Sequence, residues 1–134
     1  MSKKNSKGKK HVYLSDLHFE HQAWKNELSF QKDELSFFKN RLEEIVPRYT
    51  DKTVLAKSEQ FQNQMIRHHE VLDGLVHDIN AHEHKLTDYA KEHPIAVDHV
   101  HFDDHTSLRD GIESQRKIYA DFKQKYFRFL TETM

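Results

Sequence analysis

Residues 14–45 read LSDLHFEHQAWKNELSFQKDELSFFKNRLEEI. Steps of three and four residues from Leu14 give Leu14, Leu17, His21, Trp24, Leu28, Gln31, Leu35, Phe38, Leu42 and Ile45. Eight of these ten positions are apolar. That spacing keeps one face of an α-helix apolar, and its mean period of about 3.5 residues suits long helices crossing at a shallow, left-handed angle. Ser15 or Asp16 is the expected N-cap, and Pro47 ends the pattern. The next residues, PRYTDK at 47–52, read as a turn.

Two more seams of the same kind follow. One runs Phe61, Met65, His68, Leu72, Leu75, Ile79, His82, Leu86, Tyr89, from a start near Asp51 or Thr53 to a stop at Pro94. The other runs His101, His105, Leu108, Ile112, Gln115, Tyr119, Phe122, Tyr126, Phe129, after a cap at Asp98, Asp103 or Asp104. The spacing predicts helices over about 15–46, 52–92 and 98–132. Each is roughly 45–60 Å long at 1.5 Å per residue. Connections this short make sequential helices antiparallel. The expected fold is all-α: an elongated antiparallel up-down-up three-helix bundle with coiled-coil-like heptad seams, one domain over 11–134.

Composition agrees and removes whole classes. The 134 residues contain no Cys, 3 Gly and 2 Pro. A disulfide scaffold, a thiolate metal site and a cysteine nucleophile are excluded. So is a Gly-rich phosphate loop, and an all-β fold lacks its turn residues. Ser58, Ser107 and Ser114 fall in helical patterns, without the strand–turn–helix context of an activated hydroxyl. His68, His69 and Glu70 are adjacent, so a helix points them to different faces. Nothing here marks an enzyme.

Charge divides the chain. Residues 1–10, MSKKNSKGKK, hold five Lys and no acid, leaving 16 basic against 22 acidic residues beyond them. A short basic tail without apolar residues is expected to be disordered. The acidic body argues against a nucleic-acid partner. No apolar run reaches the length of a membrane span, so no membrane partner is expected and a cytoplasmic protein is.

Ala23, Phe30 and Phe37 form a second apolar line on the first helix, off its seam. On a thin bundle such a line is a candidate interface, most simply with a second copy in a homodimer. A rotation of the helices that buries it is the alternative. A self-associating, non-enzymatic interaction or scaffold module is the leading reading of function.

The alternative rests on histidine, 12 of 134 residues. Turns at 47–52 and 93–97 place Gln31 near His68, His21 near Ile79, and His82 one layer beyond. They place Leu72 near Gln115 and His82 near His105. Two polar layers then interrupt the apolar seams. One groups Gln31, His68 and Gln115 beside Tyr119, where amides and a neutral imidazole can bond each other and fix register. The other groups His82 and His105 with His21 or His18, and His101 one turn away. Imidazoles from three helices can hold zinc, iron or another transition-metal ion, with Glu20, Asp78, Glu83 or Asp104 as ligands or as orienting carboxylates. Spacing alone carries little weight, because about one pair of His four apart arises by chance at this abundance. No Glu-x-x-His pair occurs, so the di-iron pattern of ferritin-like bundles is absent. A third reading is a pH-responsive module, since full protonation of the 12 His would carry the net charge from −1 to +11.

Overall fold

Leu14 opens the first helix because the apolar seam starts there. The computed structural model describes residues 13–93 and 99–133, and almost all of them lie in three helices. These are α1 (Leu14–Ile45), α2 (Lys52–Ala90) and α3 (His99–Thr133). The protein is an all-α three-helix bundle. The Lys-rich segment 1–10, the turn beyond Pro94 and the expected cap at Asp98 lie outside the described residues.

The ends of α1 differ from expectation. Its N-cap is Tyr13, in extended conformation and with no side-chain cap bond, so Ser15 and Asp16 sit inside the first turn. The Tyr13 carbonyl accepts from the amides of Asp16 and Leu17, which closes that turn without a capping side chain. Asp16 still places negative charge near the positive end of the helix dipole. At the other end Pro47 lies in a single 3₁₀ turn, Val46–Arg48. Its missing N–H costs little in the first turn of a helix. Asp51 then caps α2: its Oδ1 accepts from the amides of Thr53 (2.7 Å) and Val54 (3.2 Å).

Every seam position of α1 from Leu17 to Ile45 is buried. On α2 the buried set includes Met65, His68, Leu72, Ile79, His82 and Leu86. Ser58, one heptad ahead of Met65, is also buried, a position the apolar pattern does not mark. On α3 the buried set includes His105, Ile112, Gln115, Tyr119, Phe122, Tyr126 and Phe129. Leu28, Leu72, Ile79 and Ile112 are essentially inaccessible, and each such side chain contributes about 1.5–3 kcal/mol of transfer energy.

Charged rungs fix how the helices lie. Glu20, Glu27 and Glu34 recur every seven residues on α1 and meet Arg109, Arg116 and Lys123, also seven apart, on α3. All three rungs have a sequence separation of 89. A constant separation means that α1 and α3 run side by side in one direction. Between α1 and α2 the pairs are His18–Glu83, Lys25–Asn80 and Lys32–Asp73, whose separations shrink along α1, as they do for opposed helices. The deepest hydroxyl, that of Tyr126, donates to the Phe38 carbonyl at 2.8 Å. Burial pushes this phenol up to about 12, so it stays a neutral donor.

The line Ala23–Phe30–Phe37 is not buried within the chain. Phe30 is 60% and Phe37 68% exposed, and Phe19 nearby on α1 is 74% exposed. Phe127 of α3 is partly exposed too and meets Phe38 edge-on at 5.4 Å between ring centres. No helix among the described residues is long and apolar enough to cross a membrane.

Candidate metal centre

One seam histidine from each helix meets at one level of the bundle. His21 comes from α1, His82 from α2 and His105 from α3. Their rings lie 5.0–5.7 Å apart centre to centre. Exposures of 0%, 5% and 0% put all three inside the core. Each offers one ligand atom, and these atoms all lie within 4.8 Å of one another.

The outer nitrogen of each ring is held. His21 donates from Nδ1 to Glu83 Oε1 at 2.6 Å. His105 donates from Nε2 to Glu20 Oε1 at 2.6 Å. His82 donates from Nε2 to the backbone carbonyl of His101 at 3.2 Å. Carboxylates and carbonyls only accept, so these partners assign the ring hydrogens. The inner nitrogens are His21 Nε2, His82 Nδ1 and His105 Nδ1. His21 Nε2 and His82 Nδ1 face each other at 3.1 Å. His105 Nδ1 is buried with no hydrogen-bond partner among the described residues.

Hydrogens can be counted along this chain. Glu83, His21, His82 and the His101 carbonyl form three hydrogen bonds ending in two acceptors. Three hydrogens are then shared among four ring nitrogens, one more than two neutral imidazoles carry. Burial first, and then the charges of His21 and His105, hold His82 down to about 4. Burial likewise lowers His105, against the opposing pull of its bond to Glu20. With both outer nitrogens donating, the 3.1 Å gap between His21 Nε2 and His82 Nδ1 is filled by a shared hydrogen or by a ligand.

The carboxylates are held in turn. Glu83 bridges two histidines, taking His21 on Oε1 and His18 on Oε2. Glu20 takes Arg109 as a two-point partner, at 2.7 and 3.3 Å. Burial works to raise both carboxyls, but these hydrogen bonds outweigh it and keep both below the usual carboxylate range. Trp24 stacks on His105 at 4.7 Å and 26°, closing the apolar side of the cluster.

The candidate residues therefore separate. His21, His82 and His105 come together. His18 is largely exposed and reaches the centre only through Glu83. His101 lends its backbone carbonyl to His82, while its ring stands 6.3 Å from that of His82 and against Tyr89. Glu20 and Glu83 orient imidazoles. Asp104 groups with His82 and His101, with ligand atoms again within 4.8 Å of one another. Asp78 is exposed and stands beside His77. The seams alone do not mark Arg109 or Trp24 as site residues. Arg109 is findable, since it sits in the seven-residue repeat that mirrors Glu20, Glu27 and Glu34.

The second polar layer is differently wired. Gln115 donates from Nε2 to His68 Nδ1 at 3.1 Å. The Tyr119 hydroxyl donates to Glu34 at 2.9 Å, and burial followed by that carboxylate raises its titration. Gln31 Oε1 is buried without a hydrogen-bond partner among the described residues. Comparison with protein-family models, with known proteins and with solved structures finds no match for this chain.

Proposed function

We propose that the protein binds one divalent transition-metal ion through His21 Nε2, His82 Nδ1 and His105 Nδ1. The observation that carries this reading is the state of the outer nitrogens. A metal-bound imidazole commonly gives its other N–H to a carboxylate, a backbone carbonyl or water, which fixes the ring and raises its basicity. All three rings are held by such partners: Glu83, Glu20 and the carbonyl of His101. A hydrogen-bonded histidine cluster leaves His105 Nδ1 unexplained, since it is buried with no hydrogen-bond partner among the described residues.

The dimensions suit a small ion. Tetrahedral ligands at 2.0–2.1 Å stand about 3.3 Å from each other. His21 and His82 are near that spacing at 3.1 Å. Three imidazoles favour zinc, copper, iron or nickel over magnesium or calcium, and three protein ligands leave a fourth position for water or another small ligand.

Chelator-treated protein titrated with zinc, cobalt(II) and nickel(II) tests the reading. It expects one equivalent bound, a tetrahedral cobalt spectrum, and a rise in melting temperature. At a hundredfold excess over Kd the gain is about 2.7 kcal/mol. Absence of stoichiometric binding by all three ions sinks the reading.

A second reading rests on an observation elsewhere in the bundle. Phe19, Phe30 and Phe37 are large, apolar and exposed on α1. A self-associating module, in which this face meets a second copy, accounts for them. Sedimentation checks it: a dimer is expected, and Phe30→Glu with Phe37→Glu converts it to monomer. A wild-type monomer removes the reading.

A further inference from the structure

The three imidazoles are shut inside the bundle, yet one of them borders open space. A groove of about 420 Å³ between α2 and α3 is lined by residues that include Asp78, His82, Lys85 and Asp104. Of the buried trio only His82 lines it. His82 also belongs to both sets of convergent ligand atoms: His21 and His105 inside, His101 and Asp104 outside. Its Nδ1 faces His21, and its Nε2 faces the backbone of His101.

We infer that Asp104, at this groove, and His101, grouped with it beside His82, form a capture site where a divalent transition-metal ion first lands on its way to the buried trio. This rests on the proposed metal centre. An aqueous divalent ion holds its water shell tightly, and entry into a dry core is slow if that shell is lost at once. The exposed carboxylate of Asp104 and the half-buried imidazole of His101 replace water stepwise. The carboxylate of Asp104 already acts electrostatically on the His82 ring. Asp78 adds negative charge along the same groove, and Lys85 opposes it.

A group used in passage, but not in the final complex, changes loading and release by one factor and leaves Kd alone. Nickel(II) loading of the full chain is the test, read in stopped flow as quenching of Trp24, the only tryptophan, which stacks on His105. His101→Phe and Asp104→Asn are each expected to slow loading and chelator-driven release equally, by roughly tenfold, with Kd and stoichiometry unchanged. His101→Phe keeps the backbone carbonyl that holds His82, and melting temperature reports whether either variant is misfolded. Asp78→Asn removes the same charge from the groove without removing a ligand, and is expected to slow loading less.

Unchanged rates in both variants overturn the capture site. So does a weakened Kd in step with slower loading, which makes Asp104 a ligand of the resident ion. Equal slowing by Asp78→Asn and Asp104→Asn overturns it in favour of simple charge steering. Failure of the wild-type chain to bind nickel(II), zinc and cobalt(II) alike is a different result, because it removes the metal centre as well.

Discussion

The bundle has two buried polar layers built from similar residues, and only one of them has the wiring that the proposed metal site needs. In the layer of His21, His82 and His105, carboxylates and a backbone carbonyl take the outer N–H groups. Lone pairs are thereby turned inward. In the layer of His68, an amide does the opposite: Gln115 donates into His68 Nδ1 and consumes the lone pair a metal needs. The remaining nitrogen of a neutral His68 carries the hydrogen. A groove of about 750 Å³ runs past His68 and Gln115, so space is not what distinguishes the layers. The difference is the sign of the hydrogen bond each imidazole receives. Acceptors around a histidine prepare it to ligate, and a donor aimed at it retires it into structure.

The largest effect should come from exchanging one histidine in each layer. His82→Gln removes a proposed ligand and is expected to weaken zinc or nickel binding beyond the roughly hundredfold typical of an orienting partner. His68→Gln, equally buried, should leave metal affinity within about twofold while lowering stability by around 1–3 kcal/mol through loss of a satisfied core bond. Calorimetric titration beside thermal melts reads both. Equal loss of affinity from the two variants would erase the contrast.

Much of this contrast is legible in the sequence. The seams place His21, His68, His82, His105, Gln31 and Gln115 in the core, because spacing alone decides which helix face turns inward. The register inferred from turn lengths is about one turn off, pairing His21 with Ile79 where the structure pairs it with His82. The turns at 47–52 and beyond Pro94 limit the register but do not set its phase. His18 illustrates the cost. It lies off the seam, one turn before His21, and at that level the nearest polar group on α2 is Glu83. The wiring is not legible at all. Whether Glu83 binds a metal or an imidazole, and which nitrogen carries a hydrogen, depends on ångström-scale placement that periodicity does not encode.

Next in size is the carboxylate shell. Glu83→Gln leaves a neutral amide that can present its NH₂ to His21, reversing the hydrogen bond and giving this ring the character of His68. Metal affinity is expected to fall by about 10–100-fold. Glu34→Gln, its counterpart beside Tyr119 and Lys123, should leave affinity unchanged. An unaltered Kd in Glu83→Gln would mean that the outer bonds do not prepare the site.

Acid should then stress both layers in the metal-free protein. Burial lowers His68 and His105, and holds His82 at about 4 against an ordinary 6.5. Above 6.5 neither folded nor unfolded His82 binds the extra proton, and its contribution to stability is complete. Between 6.5 and 4 the unfolded chain takes up a proton that the folded one refuses, so stability falls as the pH falls. His82 alone accounts for about 2 kcal/mol lost by pH 5. Melting temperature should drop from pH 7.5 to 5, and His82→Gln should flatten that drop more than His68→Gln does. A flat profile in the wild-type chain contradicts the burial argument for both layers.

The smallest effect is also the most discriminating. Arg109 and Arg116 stand on equivalent rungs of the α1–α3 ladder, each with a two-point bond to a glutamate. Partly exposed pairs of this kind contribute about 0.2–1 kcal/mol, so Arg109→Gln and Arg116→Gln should cost similar, small amounts of stability. Their chemistry differs in one respect. The glutamate of Arg109 also holds His105, whereas Glu27, the partner of Arg116, stands a full heptad away from that imidazole. Freed from its clamp, Glu20 can swing out and leave His105 without its orienting acceptor. Metal affinity should therefore fall a few-fold in Arg109→Gln and stay put in Arg116→Gln. If the two variants match in affinity as well as stability, Glu20 needs no clamp, and ligand preparation in this bundle ends at the carboxylates.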